Sequence, residues 1–233
     1  MNTLHYSLHA RRPSSRHMVE SAHSIRIALL DDHPIVLDGV AAWLEQEPGF
    51  VIAHRSTSSE PTLEALEHGK IDAIVMDFYL RSDDMDGIAL LRHLRRRHPD
   101  LAIIVLSAGQ TRETAYASYE AGASAFVSKW DAAICVAHAI RQSLKRVGRF
   151  HHTHAGALVF GAPPSPGHDL TLNEIEVLHR LAAGASVSQI SVGKERSRKT
   201  ISSHKRNAMR KLGLSNDLAL AQYLNLHYGF LKK

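Results

Sequence analysis

The chain has 233 residues, enough for two ordinary domains, and its 44% hydrophobic and 22% charged residues exclude a disordered chain or a fibre. No apolar run approaches the ~18–20 residues of a membrane span, and the single cysteine, Cys135, excludes an intramolecular disulfide. Residues 25–145 carry 12 Lys and Arg against 17 Asp and Glu, whereas residues 169–233 carry 11 against 5. The basic second part favours an anionic partner such as nucleic acid, with a merely solvated surface as the alternative.

Two polar stretches divide the chain. Residues 1–24 are basic and show no hydrophobic period, which predicts a disordered leader, and without a signal-type apolar stretch we expect a cytoplasmic protein. Residues 148–168 are rich in Pro, Gly and Ser and predict a linker, because such a stretch neither continues a helix nor pairs as a central strand. Its histidines are expected to be solvated rather than to hold a metal; they are His151, His152 and His154. The predicted domains are therefore residues 25–147 and 169–233.

In the first domain, short apolar runs alternate with amphipathic stretches. Five strands are predicted at Ile25–Leu30, Phe50–Ala53, Ile71–Met76, Ala102–Leu106 and Ala125–Val127. Five helices are predicted near Ile35–Glu47, Glu60–His68, Gly87–Arg97, Arg112–Ala121 and Ala132–Arg146. Continuously apolar strands are typical of a parallel sheet covered on both faces, so we expect an α/β fold with a doubly wound five-stranded parallel sheet. Its site should lie at the carboxyl ends of the strands.

Polar residues follow the predicted strands at that edge. Asp31 and Asp32 end the first strand, Asp77 the third and Ser107 the fourth, and Lys129 follows the fifth. Clustered carboxylates need shifted pKa values or a cation, and an all-oxygen ligand set suits Mg²⁺. Singly, each Asp is more often a turn or helix cap, but the joint pattern predicts phosphoryl transfer to Asp77, which ends the central strand.

The basic second domain shows the periodicity of short helices. They are predicted at Asn173–Ala183, Val187–Val192 and Arg198–Leu212, with a fourth at Asn216–Leu226 that either closes the core or packs in a dimer. This order is typical of an all-α helix-turn-helix domain whose third helix enters the major groove of DNA. A solvated charged surface helix is the alternative interpretation.

The third helix has an inner and an outer face. Ile201, Ala208 and Leu212 share the inner face, and Ser197 is the expected N-cap. Phosphate contacts are expected from Lys199, Lys205 and Arg210, and base contacts from Ser202, Ser203 and Arg206.

Residues 25–145 resemble the receiver domain of bacterial two-component response regulators. The likeness rests on Asp31, Asp32, Asp77, Ser107, Phe126 and Lys129. The resemblance implies a flavodoxin-like fold in which Asp77 accepts a phosphoryl group from the histidine phosphotransfer domain of a sensor kinase. It also implies switch roles for Ser107 and Phe126, and a Lys129 that pairs with the phosphoryl oxygens. In the implied Mg²⁺ site, Asp32, Asp77 and the backbone carbonyl of Tyr79 hold the ion, and Asp31 holds waters bound to the metal.

The stretches LTLNEIEVLHRLAAG and KTISSHKRNAMRKLGL resemble the LuxR-type helix-turn-helix, with Glu174 and Gly184 at the family's habitual positions. Together the two resemblances indicate a response regulator of the NarL/FixJ family, most similar to its capsule-synthesis branch, the regulators that end the Rcs phosphorelay. They imply a transcription regulator rather than an enzyme. Phosphorylation of Asp77 would promote binding to promoter DNA as a homodimer, or as a heterodimer with an auxiliary regulator.

Three features depart from the family pattern. Trp130 follows Lys129 where the family has proline, the loop FYLRSDDMDG after Asp77 is longer than usual, and Lys194 stands where a leucine is buried. The altered loop and Trp130 keep open a DNA-binding regulator controlled by an auxiliary protein independently of phosphorylation. An Mg²⁺-dependent aspartate-nucleophile phosphatase is the less favoured alternative, because Tyr79 stands where such enzymes carry a second Asp.

Overall fold

The structure, a computed structural model, describes residues 24–81, 83–85, 87–108, 112–131, 134–145, 149–154, 156–163, 170–193 and 196–228. The predicted leader, apart from Ser24, lies outside the described residues, and so does Lys194. Among the described residues, no helix combines the length and the apolar character that crossing a bilayer requires.

A single sheet forms the centre of the first half of the chain. Its strands are β1 (Ile25–Leu30), β2 (Phe50–Ser56), β3 (Ala73–Met76), β4 (Ala102–Ser107), β5 (Ala125–Ser128), β6 (His151–His154) and β7 (Ala157–Phe160). The strand order is β2-β1-β3-β4-β5-β6-β7, and the first five strands pair in parallel. The predicted five-stranded parallel core is confirmed, and β3 lies at its centre because its four residues are apolar and buried.

Helices cover both faces of this sheet. They are α1 (Pro34–Leu44), α2 (Ser59–His68), α3 (Gly87–Arg97), α4 (Arg112–Glu120) and α5 (Ile134–Lys145). Leu44 of α1 and Ile140 of α5 are buried in one core cluster, whereas Leu91 of α3 and Ala117 of α4 are buried in another. Two cores on opposite faces make the sheet doubly wound, as the sequence predicted.

The stretch after α5 differs from the prediction of a linker without strands, which is wrong for β6 and β7. Strand β6 pairs in parallel with β5 and in antiparallel with β7, and Gly156, at φ 77°, lies in the turn between them. The backbone edge of β5 would otherwise remain unpaired, and β6 satisfies its hydrogen bonds. As a result, the side chains of His151 and His152 are buried rather than solvated.

The described residues of the second half of the chain form four helices: α6 (Leu172–Ala182), α7 (Val187–Gly193), α8 (Arg198–Lys211) and α9 (Asp217–Tyr228). The side chain of Ser197 caps α8 by accepting the backbone N–H of Thr200, as predicted. Gly184 follows α6 at φ 91°, a left-handed conformation that favours glycine at a helix end. Ile201 and Ala208 of α8 are fully buried, so the predicted inner face of the third helix is confirmed.

Candidate functional site

The carboxyl ends of β1, β3 and β5 bring three charged side chains into contact. The backbone N–H of Asp77 donates to the carbonyl of Leu30 at 2.8 Å, which aligns the ends of β3 and β1. The Lys129 Nζ atom lies 2.5 Å from Asp31 Oδ2 and 2.8 Å from Asp77 Oδ2. The lysine therefore bridges two buried carboxylates that are distant in sequence.

His33 joins this cluster, and the sequence analysis missed it. Its Nδ1 atom lies 2.8 Å from Asp32 Oδ1 and 3.1 Å from Asp31 Oδ1. Candidate ligand atoms of Asp31, Asp32, His33 and Asp77 all lie within 4.8 Å of one another. The available sequence signal was position alone, since His33 directly follows the acidic pair.

The cluster contains more carboxylates than cations, and the pKa values of its groups reflect this imbalance. Burial raises the pKa of Asp77 to about 6; the Asp31 carboxylate adds to the rise, and the Lys129 ammonium opposes it. Burial alone would lower the pKa of Lys129, but Asp77 and Asp31 raise it above its ordinary value. Lys129 is therefore a firmly protonated cation that only partly offsets the cost of the buried carboxylates.

The other predicted site residues lie around the same edge. The backbone N–H of Tyr79 donates to Asp77 Oδ1 at 3.1 Å. Ser107 is fully buried at the end of β4, where its carbonyl accepts the Lys129 N–H at 2.8 Å. Phe126 is buried within β5, in the core cluster that also contains Ala117 of α4. The structure thus places Tyr79 and Lys129 in contact with Asp77, and Ser107 and Phe126 on the two strands that follow β3 in the sheet.

Trp130 occupies the position after Lys129, and no peptide bond within the described ranges is cis. The residue is 75% exposed, and its Nε1–H donates to the carbonyl of Ala108 at 3.1 Å. Because Ala108 directly follows Ser107, this hydrogen bond links the loop after β5 to the loop after β4.

The long loop after β3 is fastened to α2. The Asp84 carboxylate accepts the backbone N–H of Ser59 at 3.0 Å and also contacts the Ser59 hydroxyl. It further accepts the N–H of Met85 at 2.6 Å, so the same carboxylate orders the loop itself. Ser82 and Asp86 lie outside the described residues.

The predicted DNA-binding residues lie on α8 with different exposure. Lys199, Arg206 and Arg210 are exposed, and Ser202 and Ser203 are half-buried. The Lys205 Nζ atom lies 2.8 Å from Asp217 Oδ1, so this lysine pairs with the start of α9. The exposed cations form a basic surface on one helix, as expected for a recognition helix.

Two family models match parts of this chain, and two relatives are similar to it over most of its length. Residues 27–140 match the response regulator receiver domain, and residues 168–224 match the luxR family of bacterial regulatory proteins. The chain is 32% identical to the transcriptional regulatory protein LiaR of Bacillus subtilis, over 88% of this chain and 98% of LiaR. It is 31% identical to the transcriptional regulatory protein RcsB of Escherichia coli, over 87% of this chain and 94% of RcsB.

The chain belongs to the NarL/FixJ family of DNA-binding response regulators. RcsB from Salmonella enterica serovar Typhimurium, solved bound to promoter rprA with phosphomimetic BeF₃⁻, matches this response regulator with a TM-score of 0.70 and 29% identity, over 87% of this chain and 99% of that one. The sequence-based assignment of the family, with a receiver and a luxR-type domain, is therefore confirmed.

Glu174 links the start of α6 to the end of α8 in the DNA-binding half of this response regulator. Its carboxylate accepts the backbone N–H of Thr171 at 2.7 Å, completing a capping box at the start of α6. The same carboxylate lies 2.7 Å from Lys211 Nζ at the end of α8. Burial raises the pKa of Glu174, but the hydrogen bond and charge of Lys211 and the hydrogen bonds of Thr171 outweigh it and lower the pKa below its ordinary value.

Replacing Glu174 with alanine is expected to lower the free energy of unfolding by about 2 kcal/mol at pH 7, because it removes a helix cap and the buried ion pair with Lys211. Since the folded-state pKa is depressed, this contribution is present above the ordinary value of 4.5 and is lost as the pH falls below it. Urea unfolding at pH 7 and pH 3.5 measures both effects. Glu174→Gln, which retains a cap acceptor, should lose less than Glu174→Ala, and equal stability of all three proteins at pH 7 would contradict the role assigned to Glu174.

Proposed function

We propose that this chain is a transcriptional response regulator switched by phosphorylation of Asp77. The observation that carries the proposal is the bridge from Lys129 to the buried carboxylates of Asp31 and Asp77 at the ends of parallel strands. An Asp77 oxygen would attack the phosphorus of a phosphohistidine, forming an O–P bond while the P–N bond breaks. Lys129 would then neutralise the phosphoryl oxygens, and Ser107 and Phe126 would respond as switch residues.

The acidic cluster fits a hard divalent cation. Its carboxylate oxygens are buried and close together, which is the donor chemistry that Mg²⁺ prefers. Asp32, Asp77 and the backbone carbonyl of Tyr79 would hold Mg²⁺, and Asp31 would hold waters bound to it; the ion when bound supplies positive charge to the phosphoryl oxygens. The residues of the chain position the acceptor, exclude water and hold the lysine cation.

The partner of the second domain is promoter DNA under this proposal. Residues 25–147 would form the receiver, 148–168 the connection including the β6–β7 hairpin, and 169–233 the DNA-binding domain. Recognition would use Lys199, Ser202, Ser203, Lys205, Arg206 and Arg210. The RcsB structure bound to a promoter with a phosphomimetic supports this function by similarity. A homodimer would place two α8 helices on paired half-sites, and the histidine phosphotransfer domain of a kinase would supply the phosphoryl group in the cytoplasm.

The test compares DNA binding with and without acetyl phosphate and Mg²⁺ at a fixed salt concentration, because phosphate contacts make affinity salt-dependent. A genomic fragment library provides the DNA, and Asp77→Ala is the control. We expect tighter, site-specific binding after treatment of the native protein and no change in Asp77→Ala. Specific binding that is indifferent to treatment would instead favour control by an auxiliary partner, and turnover of a phosphate ester would favour an enzyme.

A further inference from the structure

Aromatic side chains connect the loop after β3 with the DNA-binding half of the chain. The ring of His179 on α6 packs edge-on against Tyr79, with centroids 4.8 Å apart, and against Phe78, at 5.3 Å. His179 also packs edge-on against Tyr228 of α9, with centroids 5.0 Å apart. Phe78, His179 and Tyr228 are all buried, so these contacts form an interior rather than a surface encounter.

A hydrogen-bonded hydroxyl lies at the centre of this cluster. The Tyr79 hydroxyl lies 2.6 Å from Thr114 Oγ1 on α4 and 3.3 Å from His179 Nε2 on α6. Helix α4 packs against α6 at the same place. One side chain therefore joins three elements: the loop after β3, a receiver helix and a helix of the DNA-binding half.

Tyr79 is also attached directly to the phosphoacceptor. It follows Asp77 by two residues, and its backbone N–H donates to Asp77 Oδ1 at 3.1 Å. A phosphoryl group on Asp77 changes the charge and the available acceptor oxygens of that carboxyl group, so the hydrogen bond to Tyr79 must readjust. The backbone of Tyr79 is bonded to the site of modification while its side chain holds the other half of the chain.

This contact leaves the basic surface of α8 open. Lys199, Arg206 and Arg210 are exposed while α6 is packed against α4 of the receiver. The docking therefore does not cover these three cations. It fixes where the recognition helix lies relative to the receiver.

We infer that Tyr79 and His179 form a latch between the two halves of the chain, through which the state of Asp77 sets the position of the DNA-binding domain. This inference rests on the proposed function and adds the residues that carry the signal. Coupling between two sites is reciprocal: if phosphorylation changes DNA affinity through the latch, DNA changes the affinity for a phosphoryl mimic by the same factor.

The test uses the full chain with Mg²⁺ and beryllofluoride as the phosphoryl mimic, and ¹⁹F NMR verifies that each variant binds it. DNA dissociation constants are measured with and without the mimic at one salt concentration. We expect a ratio of about tenfold or more in the native protein, and a ratio within about twofold of unity in His179→Ala. His179→Phe keeps a ring of similar size and loses the contact with the Tyr79 hydroxyl. It should give an intermediate ratio, and it carries the test if the alanine variant does not fold. His68→Ala removes an exposed histidine on α2 and should keep the native ratio.

A second measurement separates the latch from the function on which it rests. Spin labels on Glu60→Cys and Gln222→Cys, in a Cys135→Ser background, report the distance between α2 and α9. The distance distribution should be narrow in the native background and broad in His179→Ala, without any phosphoryl mimic. A native DNA-affinity ratio of one overturns the proposed switch. If the His179 variants keep both the native DNA-affinity ratio and a narrow distance distribution, the latch is wrong while the proposed switch stands.

Discussion

Replacing Lys129 with methionine is expected to lower the free energy of unfolding by roughly 3 kcal/mol at pH 7 in the absence of divalent cations. The Lys129 ammonium lies 2.5 Å and 2.8 Å from carboxylate oxygens of Asp31 and Asp77, both of which are buried. Methionine fills much of the same space but brings no charge, so the two carboxylates would remain buried without their cation. Urea unfolding in EDTA, with native and variant proteins side by side, measures the difference.

Two controls change the charge of the cluster without changing Lys129 itself. Asp77→Asn removes one of the repelling carboxylates, so Lys129→Met should cost less in an Asp77→Asn background than in the native one. Mg²⁺ should stabilise Lys129→Met more than it stabilises the native protein, because it supplies the missing positive charge. If Lys129→Met unfolds at the native urea concentration, the lysine is not what neutralises the cluster.

The regular elements of the receiver could be predicted because their signals are local. The apolar run of β1 and the helical period of α3 gave their observed bounds, Ile25–Leu30 and Gly87–Arg97. Strand β2 continues beyond the predicted Ala53 to Ser56, because backbone pairing with β1 extends past the apolar residues. Strand β6 was missed for the same reason: HHTH has no apolar pattern, and only its pairing with β5 makes it a strand.

Some contacts of the candidate site could likewise be predicted from the sequence, and others could not. Asp31, Asp77 and Lys129 could be brought together from the sequence, because the ends of parallel strands meet at one edge of a sheet. The contact between the side chains of Tyr79 and His179 could not, since it joins residues 100 positions apart and depends on how two domains dock. Sequence periodicity places a residue on a face of its own element but does not specify which element of another domain will meet that face.

The exposed cations of α8 could be predicted from the sequence, but the ion pair that one lysine of this helix forms with α9 could not. The exposed positions of Lys199, Arg206 and Arg210 follow from helical periodicity around the buried Ile201 and Ala208. The ion pair of Lys205 with Asp217 depends instead on the turn between α8 and α9, which brings two helices of the same domain together. Lys205 is therefore less available to a phosphate than its spacing suggested.

Replacing Arg206 with alanine is expected to weaken specific DNA binding about 10- to 100-fold and to relax the preference for one base pair. Its side chain is exposed on α8 near Ser202 and Ser203, on the face expected to enter the major groove. Lys199→Ala should instead weaken binding to all sequences alike and reduce the slope of log K against log salt by about 1. Affinities for a specific and a scrambled duplex at several salt concentrations distinguish the two effects.

Lys205→Ala is the matched comparison on the same helix. Because Lys205 lies 2.8 Å from Asp217, its charge is already partly neutralised, and its removal should reduce the salt slope less than Lys199→Ala does. The variant Asp217→Asn should then strengthen binding to any duplex by releasing that lysine to the phosphate backbone. If Lys205→Ala and Lys199→Ala weaken binding equally, the ion pair opens on DNA, and Lys199, Lys205 and Arg210 all contact phosphates.

If Arg206→Ala keeps the native ratio between the affinities for the specific and the scrambled duplex, base recognition does not involve this arginine. The half-buried Ser202 and Ser203 then become the side chains to test.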